Sequence, residues 1–254
     1  MAMPSIDLER ISVTIPIYNA RGRALKSELL RRAVGANFTS DKDPSVVAVR
    51  ALDEVTLRIG HGDRVAVVGR NGSGKTTLLR VLSGIYPPTS GRAEIVGNVS
   101  ALTDLSVGMD PESSGYENIV LRGLILGLTR KEATKLIPDI EEFSELGEYL
   151  ALPIRTYSAG MLLRLAFGVS TAVKPDIIIL DEMISAGDAG FVKKAQQRLE
   201  RLIENASIMV LASHDEALVR KLCPSAVWLQ AGKLMAQGGT DEVLEQYRAS
   251  IGRS

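Results

Sequence analysis

The sequence has little of several features that define other classes of protein. It contains one cysteine, Cys223, few aromatic residues (4%), and equal numbers of basic and acidic residues, 30 of each. A single cysteine cannot form an internal disulfide, and Met1 to Arg10 lacks a signal-peptide apolar run, so we expect a reducing cytosol and an inert Cys223. Balanced charge provides no overall field that would draw the chain onto nucleic acid.

Long hydrophobic runs are also missing. A membrane-spanning helix needs about 18 uninterrupted apolar residues, and the best candidate, Ile119 to Leu128, is interrupted by Arg122. Any work at a membrane is therefore expected to go through a partner. At 254 residues, one main domain with an insertion fits the pattern of elements best.

The most informative segment is a glycine-rich turn between an apolar run at 64–68 and a helical pattern. Its glycines let the backbone curl until several N–H groups face one concavity, to which the following helix adds its positive dipole end. This concavity fits a polyphosphate, with Lys75 reaching the β- and γ-phosphates and the Thr76 hydroxyl binding Mg²⁺. The predicted nucleotide-binding residues here are Gly69, Arg70, Asn71, Gly72, Ser73, Gly74, Lys75, Thr76 and Thr77.

Two further apolar strands end in polar residues. The strand Ile177 to Leu180 leads into Asp181 and Glu182, and if it runs beside the phosphate-loop strand, Asp181 lies near Mg²⁺. We take Glu182 as the general base for a water that attacks the γ-phosphate. The strand 207–212 leads to His214, which alone favours a structural role, but with the acids nearby favours contact with the γ-phosphate.

Between these strands the periodicity becomes helical, from 113 to 172. The last helix of this segment follows Tyr157-Ser158-Ala159-Gly160-Met161, in which Ser158 is a typical N-cap and Gly160 a small first-turn residue. By themselves these residues are only a helix start.

The N-terminal part predicts strands around a basic helix. A strand at 6–15 ends at Pro16, and Tyr18 is placed either to stack on an adenine ring or to be an ordinary interior or surface tyrosine. Residues 23–34 form a basic amphipathic helix that either meets an anionic membrane surface or is a solvated face. A loop at 35–45 then precedes a hairpin that turns at Leu52 to Glu54.

Taken together, these motifs resemble the ATP-binding subunit of ABC transporters across nearly the whole chain. The resemblance matches Tyr18 to the aromatic loop, Ser158 and Gly160 to the signature, Asp188 to the D-loop and His214 to the switch histidine. It implies an ATPase in which two copies sandwich two molecules of ATP with Mg²⁺. The motifs that carry it are Tyr18, GRNGSGKT, YSAGM, IIILDE, SAGD and His214.

The resemblance also implies a fold. It is α/β, with a P-loop NTPase core of the ABC nucleotide-binding type, an N-terminal antiparallel β subdomain and an inserted α-helical subdomain at about 113–172. Residues 1–254 then form one nucleotide-binding domain that carries the basic helix at 23–34 and no C-terminal carbohydrate-binding domain.

Four shorter segments resemble a narrower group, the exporters of lipid-linked polysaccharides such as O-antigen, capsule, galactan or teichoic acid. This implies export through a separate polytopic membrane permease, with the chain peripheral on the cytoplasmic face of the inner membrane and no nucleic acid as partner. The basic helix is then placed to meet the pyrophosphate of the lipid-linked substrate. The segments are PIYN at 16–19, GMDPE at 108–112, GYENI at 115–119 and AGDA at 186–189.

The sequence departs from the family pattern at two places. Tyr157, Ala159 and Met161 replace three residues of the usual LSGGQ signature. The family's loop glutamine is missing, since the first glutamine of the chain is Gln196, and Asp104 takes that place either as a metal or water ligand or as a surface acid.

Other functions stay open at this stage. The chain also fits an ABC-type ATPase for another exported substrate, or a soluble ABC-type ATPase that acts on nucleic acid or ribosomes. A small-molecule kinase on the same phosphate loop is a further alternative, although Glu182 with His214 suits water better than an acceptor hydroxyl.

Overall fold

The computed structural model of this chain describes residues 3–17, 37–40, 47–102, 105–181 and 189–251. Tyr18, Asp104, Glu182, Asp188 and the basic helix predicted at 23–34 lie outside the described residues. Their roles therefore stay predictions.

The described part begins with mainly strands, continues with a run of helices, and ends with strands and helices that largely alternate. In chain order the elements are β1 (Ser5–Ile17), β2 (Asn37–Ser40), β3 (Val47–Ile59), β4 (Arg64–Val68), α1 (Lys75–Leu82), β5 (Ser90–Val96), β6 (Val99–Ala101), α2 (Gly115–Ile125), α3 (Arg130–Lys135), α4 (Ile137–Ser144), α5 (Ala159–Ala172), β7 (Ile177–Asp181), α6 (Ala189–Asn205), β8 (Ile208–Ala212), α7 (Glu216–Leu222), β9 (Ser225–Gln230), β10 (Lys233–Gly239) and α8 (Thr240–Ile251). Short 3₁₀ helices occupy Gly147–Ala151 and Ile154–Thr156.

The chain divides into two compact units. The first comprises Met1–Gly97, Ile179–Glu182 and Ser207–Ser254, and the second comprises Asn98–Ile178 and Met183–Ala206. No helix within the described ranges combines the length and the apolar character that crossing a bilayer requires.

One sheet of the first unit is antiparallel, with the strand order β2-β3-β1-β5. The hairpin predicted to turn at Leu52 to Glu54 is wrong, because β3 is one strand of 13 residues. It bends instead of turning, since Glu54 has φ 50° and its N–H donates to the Ser12 hydroxyl at 3.1 Å. Strand β1 pairs with β3 from one end to the other, and the register of this pairing shifts between Leu8 and Thr14. These shifts let β3 continue as one strand past the irregular backbone at Glu54.

Two more expectations for this sheet are wrong. Pro16 does not end β1, since it pairs with Ala48. The pairing of β1 with β5 stops at Ser12, and beyond it no strand of the described residues pairs with β1 on that side, so the missing N–H of Pro16 is tolerated. The predicted loop at 35–45 contains β2, which adds to the edge of β3.

The second sheet of this unit has the order β10-β9-β4-β8-β7. Strand β4 is parallel to both β8 and β9. The strand that ends in His214 therefore neighbours the phosphate-loop strand, as expected, but the strand that ends in Asp181 does not, because β8 lies between them. All five residues of β8 are buried, which suits a central strand covered on both faces.

The second unit is mainly helical, and polar residues cap the starts of its first two helices. Ser114 and Thr129 each form a capping box, with Glu117 at the start of α2 and Glu132 at the start of α3. Its core contains fully buried residues of several helices, namely Ile119, Ile140, Leu150, Leu165 and Val169.

Candidate functional site

The loop between β4 and α1 has the conformation that only glycine adopts easily. Gly69 has φ 151° and Gly74 has φ 107°. A Cβ at Gly69 would lie 2.3 Å from the Leu229 carbonyl oxygen, and one at Gly74 would lie 2.7 Å from that of Ala51. Both positions therefore combine a left-handed backbone with the close approach of another backbone segment, so each requires glycine.

Positive groups converge inside this loop. The Lys75 ammonium donates to the carbonyl oxygens of Gly69 at 2.7 Å and Arg70 at 3.2 Å, which holds it over the loop. Among the described residues, no side chain caps the start of α1 at Gly74. The N–H groups of the first helical turn and the lysine can therefore both face an anion.

An oxygen pair lies at the edge of the same loop. The Thr76 hydroxyl donates to Asp181 Oδ2 at 3.3 Å. A hydroxyl and a carboxylate are the hard ligands that Mg²⁺ prefers, and Mg²⁺ in nucleotide sites takes most of its other ligands from phosphates and water. The two oxygens of Thr76 and Asp181 leave the remaining ligand positions to phosphate and water, so this donor pair fits a cation that arrives with a phosphate.

These groups open into one cavity of about 650 Å³ in the first unit. His214 lies at its wall, exposed, just beyond the end of β8, and Ser213 beside it is buried. The following residue, Asp215, serves as the N-cap of α7, which fixes the course of the chain after the histidine. The cavity is lined by Val49, Arg50, Ala51, Asn71, Gly72, Gly74, Lys75, Thr76, Thr77, Asp181, Ala212, Ser213, His214, Ala231 and Gly232.

The structure thus brings together most of the described residues predicted for the site. Gly69, Arg70 and Ser73 belong to the phosphate loop without lining the cavity, and Ser73 is buried. Sequence reasoning missed two parts of the wall, Val49 to Ala51 on β3 and the turn Ala231–Gly232. Only the turn could have been found from the local sequence, because a small residue followed by glycine at a hairpin favours positive φ. The φ angles are 47° at Ala231 and 80° at Gly232.

Ser158 and Gly160 belong to the second unit. The Ser158 hydroxyl accepts from the Met161 N–H at 3.2 Å, which confirms it as the N-cap of α5. Both residues are exposed, and a Cβ at Gly160 would meet only the Ser158 hydroxyl, at 3.9 Å. Their own unit therefore does not explain a glycine at 160.

Tyr157 fixes the segment that leads into this helix start. Its hydroxyl donates to the Tyr149 carbonyl oxygen at 2.7 Å. Burial, and then the nearby Tyr116, raise the pKa of Tyr157, so the hydroxyl stays a donor at neutral pH. A Cβ at Gly115 would lie 2.5 Å from the Tyr157 hydroxyl oxygen, so a glycine at 115 leaves the space that the tyrosine occupies.

Comparison with known proteins agrees with this geometry. Residues 52–185 match the family model described as ABC transporter. The chain is 44% identical over 230 residues to the O-antigen export system ATP-binding protein RfbE of Yersinia enterocolitica, covering 91% of this chain and 96% of the relative. It is 39% identical over 218 residues to the teichoic acids export ATP-binding protein TagH of Lactococcus lactis, covering 86% of this chain but only 46% of that relative.

Solved structures support the fold. One described as the ATP-binding subunit of an ABC transporter matches with a TM-score of 0.68 at 20% identity, over 97% of this chain and 94% of the other. The dimeric structure of MJ0796, a bacterial ABC transporter cassette, matches with a TM-score of 0.63 at 20% identity, over 92% and 98%. The chain therefore belongs to the ABC transporter family and is an ATP-binding ATPase of the ABC type.

Proposed function

We propose that the chain hydrolyses MgATP in the cavity at β4 and α1 and thereby powers export of a lipid-linked polysaccharide through a separate membrane-spanning subunit. The observation that carries the proposal is the convergence of the phosphate loop, Lys75 and the Thr76–Asp181 pair on one cavity. The substrate class is taken from relatives whose names specify export of O-antigen or teichoic acids.

Each residue has a role in this proposal. The N–H groups of the loop and Lys75 bind the phosphates, while Thr76 and Asp181 hold the cation, with Asp104 as a further candidate ligand. When bound, Mg²⁺ neutralises charge on the phosphate oxygens. Glu182 orients and deprotonates the attacking water, and His214 contacts the γ-phosphate.

The proposal includes a second copy of the chain. A single copy surrounds the phosphates from one side, and the exposed start of α5 at Ser158 and Gly160 offers free N–H groups and a positive dipole end to the nucleotide of a partner. Asp188 would lie at the same interface, and Tyr18 would stack on the base. Hydrolysis removes the γ-phosphate, which weakens the contact between the copies.

The transport step requires a polytopic permease, and the chain would sit on the cytoplasmic face of the membrane beside it. The basic helix predicted at 23–34 would then lie near the pyrophosphate of the lipid-linked polymer. Nucleic acid is not expected as a partner, because basic and acidic residues are equal in number.

Deleting the gene in its own organism tests the proposal, followed by complementation with wild type, Lys75→Ala or Arg92→Ala. Arg92 is an exposed residue of β5 that pairs with Glu94, so it serves as a surface control. We expect polymer to accumulate inside the cell after deletion, and wild type and Arg92→Ala, but not Lys75→Ala, to restore export. Undiminished surface polymer in the deletion strain would rule out the transport role. Complementation by Lys75→Ala would show that nucleotide bound at the phosphate loop does not power export.

A further inference from the structure

We propose that Arg50 is a nucleotide-binding residue that contacts the ribose and α-phosphate end of the bound ATP. This inference rests on the assignment of the cavity to ATP and adds a residue that the motifs of the chain do not include. Arg50 lies on β3, remote in sequence from the phosphate loop, yet it is one of the residues that line the same cavity.

The guanidinium of Arg50 is held in place but is only partly satisfied. Its Nη1 donates to Asp53 Oδ1 at 2.9 Å, and the Asp53 side chain is only 12% exposed. Its Nε is buried with no hydrogen-bond partner among the described residues. A buried donor without a partner costs free energy, but a ligand cannot reach it. The part of Arg50 that is open to a ligand is the exposed part of its side chain, which is 40% exposed.

Asp53 is itself fixed, which makes it a firm anchor for the arginine. Its N–H donates to the Gly232 carbonyl oxygen at 2.9 Å, and its other carboxylate oxygen lies 3.4 Å from the Lys233 ammonium. The anchor ties Arg50 to the turn after β9, so the orientation of the guanidinium is set before a ligand binds.

The order of strands indicates which end of the nucleotide Arg50 meets. Strand β9 flanks β4 on one side, and β8 and β7 flank it on the other. Asp181 ends β7 and His214 lies just after β8, and the Thr76–Asp181 pair is the proposed site of the cation. The γ-phosphate therefore belongs on the β8 and β7 side of β4.

Arg50 lies on the opposite side. A Cβ at Gly232, just after β9, would lie 2.9 Å from the Ala51 carbonyl oxygen, so this part of β3 packs on the β9 side of the loop. A triphosphate that starts at the Thr76–Asp181 pair and crosses the phosphate loop therefore brings its α-phosphate and sugar to Arg50. Guanidinium suits both groups, because its planar fork donates several hydrogen bonds to phosphate or hydroxyl oxygens.

Steady-state ATPase kinetics with Mg-pyrophosphate as a competitive inhibitor tests this placement. Pyrophosphate has no sugar and occupies the part of the site next to the cation pair. For Arg50→Ala we expect the KM for ATP to rise about tenfold with kcat nearly unchanged, and the Ki of Mg-pyrophosphate to stay within about twofold of wild type. Arg50→Lys should fall between the two, because it keeps the charge but loses the fork.

Arg58→Ala is the matched control, because Arg58 lies on the same strand but is exposed and pairs with Asp7 and Glu9. We expect it to behave as wild type. Asp53→Ala should raise the KM in the wild-type background but add nothing in Arg50→Ala, since Asp53 acts through the arginine. Thermal unfolding of each variant shows whether it folds. If Arg50→Ala does not fold, the KM and Ki values of Arg50→Lys are used instead.

Three results separate the possible failures. If Arg50→Ala has the KM of wild type, the inference is overturned while the ATP site stands. If ATP and pyrophosphate weaken equally, Arg50 supports the whole loop and its placement at the sugar end is wrong. If wild-type protein does not bind ATP, the proposed function itself fails.

Discussion

The Thr76 hydroxyl lies 3.3 Å from Asp181 Oδ2, although the two residues are 105 positions apart. The contact joins the first turn of α1 to the last residue of β7, across the intervening strand β8. It creates an oxygen pair at the edge of a positively charged loop, which is the arrangement that a cation bridging to a phosphate needs.

Asp181→Asn tests this pair. The amide keeps the shape of the carboxylate but not its charge, so we expect the Mg²⁺ concentration for half-maximal ATPase activity to rise at least about tenfold. The measurement is a Mg²⁺ titration at fixed ATP, with Asp7→Asn as control, because Asp7 lies on β1 and pairs with Arg58. An unchanged Mg²⁺ dependence in Asp181→Asn would remove this residue from the metal site.

Gly160→Ala tests the role of the α5 start in a second copy. A Cβ here meets nothing closer than 3.9 Å, so the variant should fold normally and be as stable as wild type, or more stable by about 0.5–1 kcal/mol. If the backbone at Gly160 approaches the partner's γ-phosphate, ATPase activity should fall at least about tenfold while nucleotide binding by the monomer is retained. Activity at the wild-type rate would show that nothing approaches this glycine.

Cys223 should be unreactive in the folded protein. The residue is 1% exposed, and burial raises the pKa of its thiol to about 12, against an opposing effect of Arg64. At pH 8 almost no thiolate is present, so we expect no reaction with an aromatic disulfide reagent until urea unfolds the chain. Rapid labelling of the native protein, followed by absorbance, would contradict the buried position.

Glu216 should make stability depend on acid pH. It accepts hydrogen bonds from Arg248 and Arg220, linking α7 to α8, and these bonds, those of Arg248 first, lower its pKa below 4.5. Since the folded-state pKa is depressed, the stabilisation is complete above the unfolded-state pKa and is lost as pH falls through the folded one.

Urea unfolding of Glu216→Gln is the corresponding measurement. The variant should be less stable than wild type at neutral pH, and the difference should shrink as the pH falls below about 4.5. Glu245→Gln, an exposed change on α8, should show no such trend. A difference that is constant down to acid pH would mean that the carboxylate charge does not contribute.

The part of the site that could be predicted from the sequence depends on local chemistry. Glycine requirements, the order of loop and helix, and the N-cap Ser158 follow from neighbouring residues, and the structure has each of them. What depends on distant strands could not be read in this way. The separation of β4 from β7 by β8, the unbroken strand β3 and the position of Arg50 at the cavity all follow from which strands pair.

In the proposed cycle, ATP joins two copies of the chain and hydrolysis releases them. Sedimentation velocity of Glu182→Gln with and without MgATP measures this association, because slow hydrolysis preserves the ATP-bound state. We expect a dimer with MgATP, a monomer without nucleotide, and a monomer under both conditions when Gly160→Ala is added. A Glu182→Gln protein that binds MgATP but sediments as a monomer, or a wild-type monomer that hydrolyses ATP at full rate, would show that ATP does not act by joining two copies.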